Sequence, residues 1–279
     1  MIDKRFISTK YWERIFEVNN TRIITKSQHL IPYSFVVAGH AYGEPGGNNS
    51  GLFPPFVDSI KRETSDREIS FLVLGGDVLR APSTVNYELM RTQLGFLANR
   101  VYIAPGNHDV GSNQDEDLIQ LFEREIGPRY QKIVYQEDLF IFLDTNNLLG
   151  DRGREQIKFL RETLRQVTSD SITIFVFTHH PIWWDAEARS IEANLQSSNE
   201  SLYSRLKLWI EMEGVFSNLK NNVVMISGDV GRLPNQETIF IERKNNINLL
   251  VTSMGRERRD NILIVNVSDG AITFEARSF

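Results

Sequence analysis

Four of the chain's five histidines, His40, His108, His179 and His180, stand directly after short apolar runs. An imidazole can hold a proton near neutral pH or give a lone pair to a metal ion. Carboxylates and a carboxamide fall at similar places. Asp77 lies in "GGDVLR", Asn107 and Asp109 flank His108 in "PGNHDV", and Asp229 lies in "SGDVGR"; His40 sits in "GHAYG" and the His179-His180 pair in "THHPIWW". The chain has no cysteine, so any metal must be held by His, Asp, Asn or Glu. Taken singly these stretches say little. A Gly-Asp pair after a strand is ordinarily a turn, and a buried histidine is often satisfied by backbone. Three polar side chains after Gly106 have no such simple turn explanation.

The elements that must carry these residues are read from periodicity. Apolar runs at Ser34–Gly39, Phe71–Gly76, Val101–Pro105, Ile172–Thr178 and Val223–Ser227 have the length and β-branched content of buried strands. Helical spacing recurs between them at Phe56–Thr64, Thr84–Leu97, Arg154–Val167 and Leu202–Leu219; the last directs Leu202, Leu206, Trp209, Ile210 and Val215 toward one face. The end of the chain changes to strands at Thr238–Ile241, Asn248–Thr252, Asn261–Val267 and Ala271–Ala276, with Ser268-Asp269-Gly270 as a hairpin signal. A second hairpin, Lys132–Tyr135 with Leu139–Asp144, sits mid-chain. This order predicts an α/β domain with two mixed sheets covered by helices. Residues 1–33 read as an N-terminal extension packing on a domain at 34–279. Polar groups gathered at the carboxyl ends of strands are the usual place for a site in such a sheet.

Composition narrows the partners. A formal net charge of −5 argues against nucleic acid, whose binding needs a basic surface to displace counterions. No apolar run approaches the roughly 20 residues of a bilayer-spanning helix, and the N-terminus lacks the apolar core of a signal peptide. A soluble chain with no membrane segment is therefore expected. Compartment and protein partner are not specified by these residues.

In order along the chain, "GHAY", "GGD", "GNHD", "THHP" and "GDVG" resemble the five strand-end motifs of the calcineurin-like metallophosphoesterases: Gly-Asp-x-His, Gly-Asp, Gly-Asn-His-Asp/Glu, a His soon followed by Pro, and Gly-His-x-His. The resemblance covers about Ser34 to Ala276. It implies a two-sheet β-sandwich flanked by helices and a divalent metal site. It further implies that Asp77, Asn107 and His179 are metal ligands and that His108 faces the leaving oxygen. Four expected ligands differ. His40 stands for an Asp and Tyr42 for a His in the first motif, while Asp229 and Gly231 stand for the two histidines of the last. The set for one of the family's two metals is thereby dismantled. The expectation is a single ion, Mn²⁺, Fe²⁺, Zn²⁺ or Mg²⁺, held by Asp77, Asn107, His179 and Asp229, with His40 as a further ligand or a hydrogen-bond partner of Asp229.

One such ion polarises a phosphoryl oxygen and acidifies a bound water. Arg80, Arg232 and Arg256 follow strand ends and are candidates for gripping phosphate, with a solvated surface role as the alternative. His108, backed by Asp109, is the candidate proton donor, and Tyr42 a candidate hydrogen-bond donor to the phosphoryl group. Trp183 and Trp184 would shape a pocket or join the local core, and Glu44 lies in a Gly-rich loop within reach of the first motif. Three functions compete: a phosphomonoesterase or phosphodiesterase with a remodelled site, a degenerate relative that binds a small phosphorylated ligand or a protein, and a structural protein.

Overall fold

The computed structural model describes residues 13–15, 18–26, 31–43, 47–48, 50–97, 99–111, 115–146, 148, 151–183, 199–230, 238–254 and 260–278. Two mixed sheets lie face to face. The first has β2 (Arg22–Ile24), β13 (Ala271–Ser278), β12 (Asn261–Ser268), β3 (Tyr33–Ala38), β4 (Phe71–Leu74) and β5 (Val101–Ile103) in that spatial order. The second runs β1 (Glu13–Ile15), β10 (Ile239–Lys244), β11 (Ile247–Thr252), β9 (Val223–Ser227), β8 (Ile174–Thr178), β7 (Asp138–Phe142) and β6 (Gln131–Tyr135). Strands β3, β4 and β5 are parallel in one sheet, and β7, β8, β9 and β11 in the other.

The unbroken apolar runs follow from burial on both faces. In β3, Phe35 and Val37 point between the sheets while Val36 and Ala38 face a helix layer. In β8 the split is Phe175 and Phe177 inward, Ile174 and Val176 outward. The interior is an aromatic stack: Phe140 lies 4.8 Å from Phe175, Phe142 lies 5.0 Å from Phe177, and Phe35 meets Phe140 edge-on at 5.5 Å across the sheets. Offset and edge contacts of this kind add about 0.5–1.5 kcal/mol each beyond area burial. Helices α1 (Pro54–Asp66), α2 (Thr84–Gln93) and α4 (Glu116–Glu125) cover the first sheet, and α5 (Asp151–Arg165) and α6 (Asn199–Phe216) the second. A single helical turn, α3 (Asn107–Val110), follows β5.

The predicted two-sheet, helix-flanked architecture is the observed one, with differences in detail. Helix α4 was not expected, although Asp115 caps it by accepting from the Leu118 N–H and its Ile119 and Phe122 are buried. Among the described side chains of α6, Leu208, Met212 and Phe216 are buried beside the predicted Trp209, and the predicted Val215 packs against them, while Leu202 and Leu206 lie outside the described side chains. Lastly, the N-terminal segment does more than pack on the domain: β1 pairs with β10 and β2 with β13, extending each sheet by an edge strand. No helix among the described residues is long and apolar enough to cross a membrane.

Candidate metal centre

The carboxyl ends of the parallel strands of both sheets meet at one place, and glycines let them do so. A Cβ on Gly39 would lie 2.3 Å from the Gly228 Cα, and one on Gly228 would lie 2.3 Å from the Gly75 carbonyl oxygen. Any side chain here would collide with backbone. Past β3 and β4 the chain turns sharply: His40 has φ +54° and Asp77 φ +53°, a left-handed conformation that residues with a Cβ seldom adopt. The His40 N–H donates to the Gly76 carbonyl at 3.0 Å, and the Gly228 and Asp229 N–H groups both donate to the His179 carbonyl at 3.0 Å. These bonds tie the strand-end turns of each sheet to one another, β3 to β4 and β8 to β9.

Asp77 is the hub. Its Oδ1 accepts from the His108 backbone N–H at 2.9 Å and lies 3.4 Å from His179 Nε2; its Oδ2 lies 3.3 Å from His40 Nε2 and 3.9 Å from His108 Nε2. Asp229 joins from the other sheet, with Oδ1 3.2 Å from His40 Nε2 and 4.0 Å from His179 Nε2, and Oδ2 3.7 Å from His180 Nε2. Asn107 Oδ1 is 3.3 Å from His179 Nε2. Asp77, Asn107, His179, Asp229 and His40, predicted as a set, are thus brought together. Among the described residues, two overlapping groups have ligand atoms close enough to share an ion: His40, Asp77 and His179, and His179, His180 and Asp229.

The donor chemistry fits a cation. His179 Nδ1 is 2.9 Å from the Gly75 carbonyl, which can only accept, so Nδ1 carries the proton. In the neutral ring the Nε2 lone pair then faces the oxygens of Asn107, Asp77 and Asp229. Electron-rich atoms held in this way are relieved by positive charge among them, and a ring nitrogen tied to a carbonyl is the usual orientation of a metal-binding histidine. Ionisation tells the same story. Burial alone would lower the His179 pKa, but Asp77, Asp229 and the Gly75 carbonyl reverse it and raise it. Burial would raise that of Asp229, yet His179, His40 and His180 hold it well below the usual carboxylate range. The cavity favours positive charge.

The other predicted residues are placed as follows. His108 stands at the mouth, its side chain 35% exposed, with Nδ1 3.0 Å from the Arg80 carbonyl; Arg80 therefore meets it through backbone. Asp109 does not back His108. It is fully buried, its Oδ2 accepting from the Gly106 N–H at 2.8 Å and its Oδ1 from the Val78 N–H at 3.1 Å. Neighbouring residues on a helical turn point different ways, which is why adjacency in sequence misled. Burial, then the charge of Asp77, pushes the Asp109 carboxyl up to about 6 against those backbone donors. Tyr42 is buried between His40 and His108, ring centres 5.2 and 5.0 Å away. Trp183 belongs to the core, 6.3 Å from Trp209 with its Nε1–H donating to Glu242. Arg232, Arg256, Gly231, Trp184 and Glu44 lie outside the described residues. Sequence reasoning did not single out His180, whose Nδ1 and backbone N–H both meet Thr145 Oγ1, at 2.8 and 3.2 Å.

The fold is a two-sheet α-β-β-α sandwich, with histidines and carboxylates that could hold a metal ion converging at its strand ends. A profile of the calcineurin-like phosphoesterases matches residues 40–202, and the chain belongs to that family. The match begins at His40 and stops short of Asp229. No curated protein matches the sequence. Among solved structures, the chain is similar to a 5'-nucleotidase candidate from Staphylococcus aureus, with 14% identity and a TM-score of 0.49 over 89% of this chain and 54% of that one. It is also similar to the phosphopantetheinyl hydrolase of Mycobacterium tuberculosis, with 13% identity and a TM-score of 0.45 over 81% of this chain and 90% of that one. A third is the phosphoesterase Yfce of E. coli, with 13% identity and a TM-score of 0.39 over 88% of this chain and 98% of that one. The chain spans about half the length of the Staphylococcus aureus protein.

Proposed function

We propose that this protein is a metal-dependent phosphoesterase that hydrolyses a small phosphomonoester or phosphodiester at a remodelled centre holding one divalent ion. The observation that carries the reading is the convergence of Asp77, Asn107, His179 and Asp229 from two sheets into one cation-favouring cluster, with the partly exposed His108 beside it. A bound ion supplies a Lewis acid for the phosphoryl oxygen and lowers the pKa of a water. The chain's own residues do the rest. Asp77, Asp229, Asn107 and His179 would hold the ion, and His108 stands at the exposed side of the cluster. Because His108 Nδ1–H is committed to the Arg80 carbonyl, only Nε2 faces the cavity, and the protonated ring donates from Nε2 to the leaving oxygen. Asp109 serves by holding the Gly106 and Val78 amides, which set the turns bearing Asn107 and Asp77. Tyr42 walls the approach, and Arg80, Arg232 and Arg256 remain candidates for binding the phosphate.

The test is turnover of p-nitrophenyl phosphate and bis-p-nitrophenyl phosphate by protein loaded with Mn²⁺, Fe²⁺ or Zn²⁺, with bound metal measured alongside. His108→Ala should keep the ion and lose about 10²–10⁴-fold in kcat, the usual worth of a general acid. Asp77→Ala should lose both ion and turnover. Metal-loaded wild-type protein no faster than Asp77→Ala would sink the hydrolase reading. A second reading, a binding protein for a small phosphorylated ligand, is favoured by one feature: His40, in a position where the family has an Asp, lies 3.3 and 3.2 Å from two carboxylates and can bridge them by hydrogen bonding without an ion.

A further inference from the structure

The three imidazoles around Asp229 differ at their far nitrogens. His179 gives Nδ1–H to the Gly75 carbonyl at 2.9 Å, and His180 has Nδ1 2.8 Å from Thr145 Oγ1. His40 Nδ1 is buried with no hydrogen-bond partner among the described residues. A histidine that ligates through Nε2 must carry its proton on Nδ1 and nearly always gives it to an acceptor. His179 and His180 meet that condition. For His40, ligation would bury an unsatisfied N–H, a cost of about 1–3 kcal/mol. The opposite tautomer also leaves Nδ1 unpartnered, as an acceptor, but it gives Nε2–H two carboxylate acceptors, Asp77 Oδ2 at 3.3 Å and Asp229 Oδ1 at 3.2 Å.

We propose, building on the single-ion reading above, that His180 is a ligand of the ion together with His179 and Asp229, and that His40 is a positioning residue that donates one N–H to both carboxylates. The two overlapping groups share His179, whose Nε2 has one lone pair, so they cannot each take an ion through it. Thr145 is the device that aims His180. Its Oγ1 accepts from the His180 backbone N–H at 3.2 Å as well as meeting Nδ1, so one hydroxyl fixes both the turn and the ring. Burial of His180 to 4% exposure keeps the ring there. Asp229 lies between the two roles, with Oδ1 toward His40 and Oδ2 toward His180.

The experiment needs no substrate, so its outcome is independent of whether the protein is a hydrolase. Wild-type protein labelled with ¹⁵N in its five histidines is titrated with Zn²⁺, and the ring nitrogens are followed by long-range proton–nitrogen correlation. On loading, the Nε2 signals of His179 and His180 should move to metal-bound positions while His40 keeps a protonated Nε2. Zn²⁺ affinity is measured in parallel for two variants. His180→Gln should weaken binding at least tenfold, and His40→Gln, whose amide still donates to carboxylates, should weaken it less than His180→Gln does. An unmoved His180 ring, or a metal-bound His40 ring, overturns the assignment. So does equal loss of affinity in the two variants. The titration on unaltered protein decides the matter even if a variant fails to fold.

Discussion

His40 combines a buried imidazole with a backbone angle that suits glycine. A left-handed φ costs a residue with a Cβ about 1–2 kcal/mol, and here the surrounding turn, tied by the His40 N–H to Gly76 and the Gly43 N–H to His40, enforces it. The strain is separable from the side chain by comparing two truncations. In metal-free protein, His40→Gly should be more stable than His40→Ala by about 1–2 kcal/mol in urea unfolding, although both lose the same imidazole. Equal stabilities would mean that the turn relaxes and stores no strain. Asp77, at φ +53°, is bent in the same way, so both residues that face each other across the first sheet's strand ends are held by their backbone. The residue types at the centre were legible, because His, Asp and Asn after apolar runs have few structural uses together. Their partners were not. Asp109 was paired with His108 by adjacency, and the resemblance assigned a role to His179 alone; the chain leaves strand geometry after Thr178 and brings both His179 and His180 beside Asp229.

At the scale of elements, the approach of β3, β4 and β9 through Gly39, Gly75 and Gly228 is what sets distances within the cluster. Gly228→Ala drives a methyl group into the Gly75 carbonyl, 2.3 Å away, and the Gly39 Cα, 2.8 Å away. Neither is the end of a flexible side chain. We expect a loss of about 1–3 kcal/mol, as for other overpacked sites, together with weakened ion binding in an equilibrium metal titration. Gly214→Ala in α6, where an added Cβ meets nothing, is the control and should leave ion binding unchanged. Wild-type affinity in Gly228→Ala would show that the sheets can shift without disturbing the ligands. The strands bearing the site were read to within one or two residues because burial on both faces writes them as continuous apolar runs. Strands β1 and β2 escaped because three residues at a sheet edge, such as Arg22–Ile24 with only Ile23 buried, are too short to show a period. Helix α4 was legible in its Asp115 cap and its acidic first turn, a signal present but not taken up.

On the scale of the molecule, the N-terminal segment closes an edge of each sheet, β1 on β10 and β2 on β13. Removing residues 1–25 should expose both edges to pairing with other chains. Light scattering on warming should then rise earlier than in the full chain, and identical behaviour would show that the edge strands are dispensable. The centre spans the same sandwich at its strand ends, taking His40, Asp77 and Asn107 from one sheet and His179, His180 and Asp229 from its partner. An ion held as proposed would be a clasp between the two sheets. Whatever drew the two halves closer would tighten its grip, and whatever prised them apart would release it, since a ligand that binds only the closed arrangement stabilises it by mass action and is favoured by it in equal measure. Metal availability would then set how readily the sandwich opens, so that the same equilibrium governs the lifetime of the fold and the occupancy of its chemistry.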